Sequence, residues 1–256
     1  MNPTVTPRAA GWLAGGPRRA AAPAVRLFCL PYAGGGSSAY GGWQQLLGAA
    51  VEVCPVELPG RQSRWHDPAY SRVRPLVESL ASALAAELDV PYALFGHSMG
   101  SLVAFELARE LRRRGVPPPR ILFAAGGPAP DLRRLSPDIH DRPDAVVVDR
   151  LRRLGNLDEE IAAESELLEL LLPAIRADFS VCETYRYAPE PPLDCPIVAF
   201  AGDEDQEVPV ERVAPWREHT SAAFSLQVLP GGHFFPISAR DAMLRTIRAT
   251  LGAAAG

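Results

Sequence analysis

The sequence predicts an α/β fold: a mostly parallel central sheet with helices on both faces and a helical insertion. Three observations carry this. Short apolar runs alternate with stretches whose apolar residues recur at helical spacing, the pattern of parallel strands joined by crossover helices. Most runs stop at turns rich in Gly or Pro. The alternation breaks after Gly126-Gly127-Pro128 and resumes near Pro192, with no clear strand between.

Residues 25–30 form the first apolar run and feed Pro31-Tyr32-Ala33-Gly34-Gly35-Gly36-Ser37-Ser38. The glycines allow close backbone approach, and Ser37 or Ser38 is placed to cap a helix running towards Gly48. Such a loop can present N–H groups to an anion. It suits a phosphate less well, because its spacing completes neither the Gly-x-Gly-x-x-Gly fingerprint nor a P-loop. Residues 51–56 read as a strand that ends in Leu58-Pro59-Gly60-Arg61, where Arg61 and Arg64 can meet an anion or tie the loop down. Residues 73–88 carry Val73, Leu76, Val77, Leu80, Leu84 and Leu88 at helical spacing.

Residues 91–95 form the next strand. It runs into Gly96-His97-Ser98-Met99-Gly100 and then an apolar-periodic helix to Arg114. Gly-x-Ser-x-Gly alone is a weak signal, but between a strand and a helix it marks a sharp turn that lifts the serine hydroxyl clear of the backbone. Residues 120–125 form a further strand. Helical stretches follow at 145–154 and 165–187, with Asp158-Glu159-Glu160 between them. Leu167, Leu168, Leu170, Leu171, Leu172 and Ile175 are apolar on too many faces for one solvated helix, so the insertion is expected to cover something, most simply the active site. Strands resume at 195–201, ending in Gly202-Asp203-Glu204-Asp205, and at 224–229, ending in Pro230-Gly231-Gly232-His233. Ser238 can cap a last helix. The organisation expected is a flexible tail over 1–23, a core of 24–128 and 193–256, and an insertion over 129–192.

Composition narrows the function. At 256 residues, 47% hydrophobic, with a mean hydropathy of −0.01, the chain can bury a sizeable core and holds no run of transmembrane length. The net charge of −4 gives no reason to expect nucleic acid as a partner. All 26 basic residues are arginine, which excludes a P-loop lysine and a Schiff-base lysine. Cys29, Cys54, Cys182 and Cys195 form no C-x-x-C pair and read as reduced core thiols. The histidines show no metal-ligand spacing, so no metal is expected. The first residues lack the apolar centre of a signal peptide, and the cytoplasm follows by default.

Ser98, the acidic pair Asp203/Asp205 and His233 thus stand at the carboxyl ends of parallel strands, where open α/β sheets place their chemistry. The order Ser, Asp, His is that of an α/β-hydrolase fold. A serine hydroxyl is a poor nucleophile. His233 must take its proton, and an acid must hold the imidazole in the right tautomer. Gly202-x-x-Asp205, followed by Val208-Pro209, resembles the element that commonly carries the acid in α/β-hydrolases, which implies Asp205 as that acid, with Asp203 the alternative. An oxyanion hole needs two N–H donors. Met99, after the nucleophile, supplies one; the loop after the first strand supplies the other, at Ala33, with Tyr32 or Gly34 as alternatives. Tyr32, Gly34, His97 and Phe234 are expected to contact substrate, although His97 should point away from the nucleophile.

The sequence resembles the type II (editing) thioesterases of polyketide and non-ribosomal peptide assembly lines. The resemblance lies in Phe28-Cys29-Leu30-Pro31-Tyr32-Ala33-Gly34-Gly35, Glu57-Leu58-Pro59-Gly60-Arg61, Phe95-Gly96-His97-Ser98-Met99-Gly100, Leu172-Pro173-Ala174-Ile175-Arg176-Ala177-Asp178-Phe179, Gly202-Asp203-Glu204-Asp205 and Leu229-Pro230-Gly231-Gly232-His233-Phe234-Phe235. It implies hydrolysis of acyl thioesters on the phosphopantetheine arm of an acyl or peptidyl carrier protein, removing stalled or wrongly primed acyl groups. It also implies a mobile lid over an acyl pocket and no cofactor; a monomer is expected. The alternatives are a general esterase or acyl-CoA thioesterase of the same fold, and a non-catalytic binder.

Overall fold

The computed structural model describes residues 11–14, 23–132, 138–155 and 165–253. Six strands form one sheet: β1 (Val25–Leu30), β2 (Val51–Pro55), β3 (Tyr92–His97), β4 (Leu122–Ala125), β5 (Ile197–Gly202) and β6 (Phe224–Leu229). Their order is β2-β1-β3-β4-β5-β6 and every pairing is parallel, where the sequence suggested only a mostly parallel sheet. β1, β3, β4 and β5 are buried along their whole length, which explains why they read as unbroken apolar runs. β6 is an edge strand of alternating exposure.

Helices cover both faces. One face packs α2 (Val73–Leu84) and α3 (Met99–Arg113) over a core that includes Phe28, Leu94, Leu80, Val103 and Trp216. The other packs α1 (Trp43–Leu47) and the C-terminal α8 (Arg240–Ala253) over Phe95, Phe123, Phe200, Trp43 and Ile247. Between β4 and β5 the chain forms α4 (Asp144–Leu154) and α5 (Ser165–Glu183), joined by a small cluster of Val147, Leu151, Leu172 and Ile175. Leu170, at 55% exposure, stays outside it. The short α6 (Val210–Val213) and α7 (Phe235–Ser238) follow β5 and β6. The acidic run at 158–160, and residues 133–137 and 156–164 of the expected insertion, lie outside the described residues.

Two local expectations change. Ser37 caps no helix, because its hydroxyl donates to Gln62 Oε1 at 2.8 Å; α1 starts at Trp43 instead. Ser238 ends α7, and the last helix begins at Arg240. Of the expected tail, residues 1–10 and 15–22 lie outside the described residues, but 11–14 are docked. Leu13 bridges to Val56, Trp12 is buried in the core, and the Arg64 guanidinium lies 4.1 Å from the centre of the Trp12 ring. A flat aromatic under a cation holds this stretch down.

The strand order reverses between β1 and β3, so their connections leave on opposite sides and open a crevice at their carboxyl ends. Leu30 is in register with Gly96, which sets the loop after β1 beside the turn after β3. Gly202 is in register with Leu229, which does the same for the loops after β5 and β6.

Candidate active site

Ser98 sits at the sharp turn between β3 and α3 with φ 55° and ψ −112°, a region unfavourable to L side chains. Its N–H donates to Ala125 O at 2.8 Å, and Ser101 Oγ donates to Ser98 O at 2.6 Å, so the strain is held from both sides. The flanking glycines are obligatory. A Cβ on Gly96 would lie 2.0 Å from Gly100 O, and one on Gly100 would lie 2.1 Å from Leu30 O. Ser98 remains half-exposed at the mouth of the crevice.

His233 reaches Ser98 from the turn after β6. Its Nδ1 lies 2.9 Å from Asp205 Oδ2, and its Nε2 lies 3.0 Å from Ser98 Oγ. An ionised carboxylate only accepts, so Nδ1 carries the proton and Nε2 is left to accept from the Ser98 hydroxyl. The other carboxylate oxygen of Asp205 accepts from Glu207 N at 2.9 Å and Val208 N at 3.0 Å, fixing the side chain in its buried position. Asp203 has a different task. It is exposed, and its Oδ1 accepts from Gly231 N at 2.8 Å, which secures the turn carrying His233. Of the two candidate acids, Asp205 is the one that meets the imidazole.

His97, expected among the substrate contacts, stands behind the site instead. It is 3% exposed, and its Nε2 donates to His233 O at 2.9 Å. Burial, with the neighbouring His233 ring as a lesser cause, pushes its pKa down to about 3 from an ordinary 6.5. The unfolded chain therefore takes up this proton near pH 6.5 while the folded chain refuses it. The stability is fully present above about pH 6.5 and is lost as pH falls towards 3. The loss approaches about 1 kcal/mol per pH unit. His97→Gln is expected to flatten the decline of Tm between pH 6.5 and 4, measured against wild type by differential scanning calorimetry. An unchanged slope would refute the assignment.

Tyr32 and Phe234 meet edge to face, with ring centres 4.9 Å apart, and both are half-buried. The loop after β1 holds the three residues expected to offer the second oxyanion donor. Gly34 N is committed to Asp178 Oδ2 at 2.8 Å, while no hydrogen bond from Ala33 N is found among the described residues. Gly34 is thereby spent, and Ala33 and Tyr32, for whose N–H groups no partner is found among the described residues, remain as the alternatives. Met99 N lies at the first position of α3, whose unpaired N–H groups carry partial positive charge.

Asp178 and Arg61 were not singled out as site residues from the sequence. The signal was present in the Leu-Pro-Gly-Arg and Arg-Ala-Asp-Phe elements, but nothing in 117 residues of separation shows that the two meet. Among the described residues no group of three or more His, Cys, Asp or Glu side chains is arranged to hold a metal. No described helix is long and apolar enough to cross a membrane.

Comparison with known proteins gives a concordant result. A family model described as a thioesterase domain matches residues 25–251. The gramicidin S biosynthesis protein GrsT of Aneurinibacillus migulanus is 39% identical over 220 residues, covering 86% of each chain. The linear gramicidin dehydrogenase LgrE of Brevibacillus parabrevis is 42% identical over 238 residues, covering 92% of this chain and 90% of that protein. Among solved structures, the RedJ thioesterase from the prodiginine pathway of Streptomyces coelicolor superposes with a TM-score of 0.85 at 43% identity, covering 90% of this chain and 87% of its own. YbtT, a type II thioesterase from the yersiniabactin NRPS/PKS pathway, superposes with a TM-score of 0.82 at 34% identity, covering 94% and 97%.

Proposed function

The chain belongs to the thioesterase family, and from that premise we propose that it hydrolyses acyl thioesters on the phosphopantetheine arm of acyl or peptidyl carrier proteins, clearing aberrant or stalled acyl groups in polyketide or non-ribosomal peptide synthesis. One observation carries the chemistry: the line from Ser98 Oγ through His233 to Asp205, with separations of 3.0 and 2.9 Å. The biosynthetic setting rests on relatives such as GrsT, RedJ and YbtT.

In this reading Ser98 Oγ attacks the thioester carbonyl carbon while His233 Nε2 takes the hydroxyl proton. Negative charge gathers on the carbonyl oxygen, between Ala33 N–H and Met99 N–H. The intermediate collapses, the C–S bond breaks, and the pantetheine sulfur takes the proton from His233 as it leaves, which returns the imidazole to its neutral form. A thiolate needs less help than an alkoxide, so the acid half of the cycle is light work for the imidazole. Water, deprotonated by His233, then attacks the acyl-Ser98 ester. A second tetrahedral intermediate releases the carboxylic acid and restores the hydroxyl. Asp205 holds the tautomer and stabilises the imidazolium throughout.

A dinucleotide-dependent reading, which the name of LgrE would suggest, fits poorly. The loop after β1 already gives Gly34 N to a buried carboxylate, where a pyrophosphate would need that donor and no neighbouring negative charge. An esterase or acyl-CoA thioesterase is the runner-up. The test is kcat/KM on one acyl group presented by carrier protein, by coenzyme A and as a p-nitrophenyl ester. The carrier-bound thioester is expected to be favoured over acyl-CoA by about tenfold or more, since only it offers a protein surface to bind. Equal values on all three would remove the case for a carrier partner.

A further inference from the structure

We propose that Asp178 and Arg61 are positioning residues for the oxyanion hole, holding the loop at residues 32–36 so that Ala33 N–H faces the acyl oxygen. This deepens the proposed function and rests on it for the identity of the nucleophile. Asp178, on α5, is 3% exposed, and Arg61 is 7% exposed. They meet as a fork on a fork: Arg61 Nη1 lies 2.7 Å from Asp178 Oδ2, and Nη2 lies 2.8 Å from Oδ1. Neither stops there. Asp178 Oδ2 also accepts from Gly34 N at 2.8 Å, and Arg61 Nη1 also donates to Gly35 O at 2.8 Å. The N–H of Gly34 and the carbonyl of Gly35, close behind Ala33, are therefore each gripped by one member of a buried ion pair.

Neighbouring contacts repeat the grip. One turn before Asp178, Ile175 lies so close that a Cβ on Gly34 would stand 3.2 Å from its Cγ1. Next to Arg61, Gln62 Oε1 accepts from Ser37 N at 2.9 Å and from Ser37 Oγ at 2.8 Å. Gly34 itself takes φ +77° inside a turn closed by Gly35 N donating to Tyr32 O at 2.9 Å, and the buried pair grips this turn from outside. A buried ion pair is weak support for stability, since apolar side chains of similar volume often do as well. Charge-assisted bonds to two backbone groups give what apolar packing cannot, a fixed direction for the adjacent donor. The arrangement also ties the loop to α5, so this half of the insertion cannot shift without withdrawing Asp178 from Gly34.

The test is Asp178→Asn in the full chain. An asparagine puts an NH2 group against a guanidinium and breaks the fork, leaving Ser98, His233 and Asp205 in place. With active sites counted by titration, kcat on p-nitrophenyl butyrate is expected to fall by about 10- to 100-fold with KM within about threefold, part of the 10²- to 10³-fold that losing one oxyanion donor costs. Affinity for an alkyl trifluoromethyl ketone, which adds to Ser98 as a tetrahedral anion, should fall by the same factor. In a Ser98→Ala background, binding of an S-alkyl pantetheine thioether should be unaffected by Asp178→Asn. A merely structural role would lower Tm and the titrated fraction while leaving kcat per active site and ketone affinity near wild type, and that result overturns the proposal. If Asp178→Asn does not fold, Arg61→Lys, which keeps the charge and loses the fork, carries the same expectations; failure of both to fold would also overturn it. The proposed function is judged separately, by the carrier comparison and by turnover in Ser98→Ala alone.

Discussion

Ser98→Ala is expected to reduce acyl-thioester hydrolysis by about five to six orders of magnitude while the fold survives. Without Oγ there is no acyl-enzyme, and His233 can only activate water directly, in a site shaped for a nucleophile fixed to the turn. The residual rate would come from binding and from the oxyanion donors. The fold should be untouched for a physical reason. The φ of 55° at this position is imposed by Gly96, Gly100 and the bond from Ser98 N to Ala125 O, none of which uses the hydroxyl. Tm should therefore not drop, and a buried-core rearrangement is not expected. The measurement is carrier-bound acyl thioester followed by mass spectrometry, with circular dichroism as the control for folding. Turnover within tenfold of wild type would end the serine mechanism.

Asp205→Asn should lower kcat by about 10³- to 10⁴-fold, and Asp203→Asn by less than about tenfold. The difference follows from how each amide must sit. Asp205 Oδ1 accepts from Glu207 N and Val208 N, so an asparagine has to keep its oxygen there and turn its NH2 towards His233. That NH2 donates to Nδ1 and pushes the imidazole proton onto Nε2, the atom that should accept from Ser98. The base is lost through the wrong tautomer, with hardly any movement of atoms. Asp203 only has to accept from Gly231 N, and an asparagine oxygen does that equally well. A larger loss for Asp203→Asn than for Asp205→Asn would show that the acid has been misassigned.

The strands were legible because a sheet covered on both faces needs unbroken apolar runs, and β1, β3 and β5 are of that kind. The turns after them were legible because only glycine tolerates such close backbone approach, at Gly96 and Gly100 above all. Resemblance to the Gly-x-x-Asp element of α/β-hydrolases also favoured Asp205 over Asp203, although both follow the same strand within three residues. Capping was harder to read. Ser37 has the right chemistry for a helix cap, yet a glutamine side chain across the loop competes for its hydroxyl. Trp12 lay in a stretch whose Ala, Pro and Gly content suggested no structure, and its burial depends on partners that β2 and Arg64 supply. His97 adjoins Ser98, and the sequence left it a structural or pocket-lining role without showing what it would hold. Its buried ring packs edge to face on Tyr32 and Phe234, and its Nε2 holds the His233 carbonyl, so it supports the site from beneath.

By itself the sequence determined the mostly parallel α/β architecture and the strand ends where chemistry could sit, since periodicity and glycine placement are local properties. Tertiary structure alone decided which groups meet. The reversal of strand order between β1 and β3 sets the loop containing Ala33 beside Ser98, and the β5–β6 register brings Asp205 to His233. The joining of Arg61 to Asp178 and the Gly34 amide belongs to the same class: hydrogen-bond partners far apart in the chain are selected by distance and direction, which no local pattern encodes.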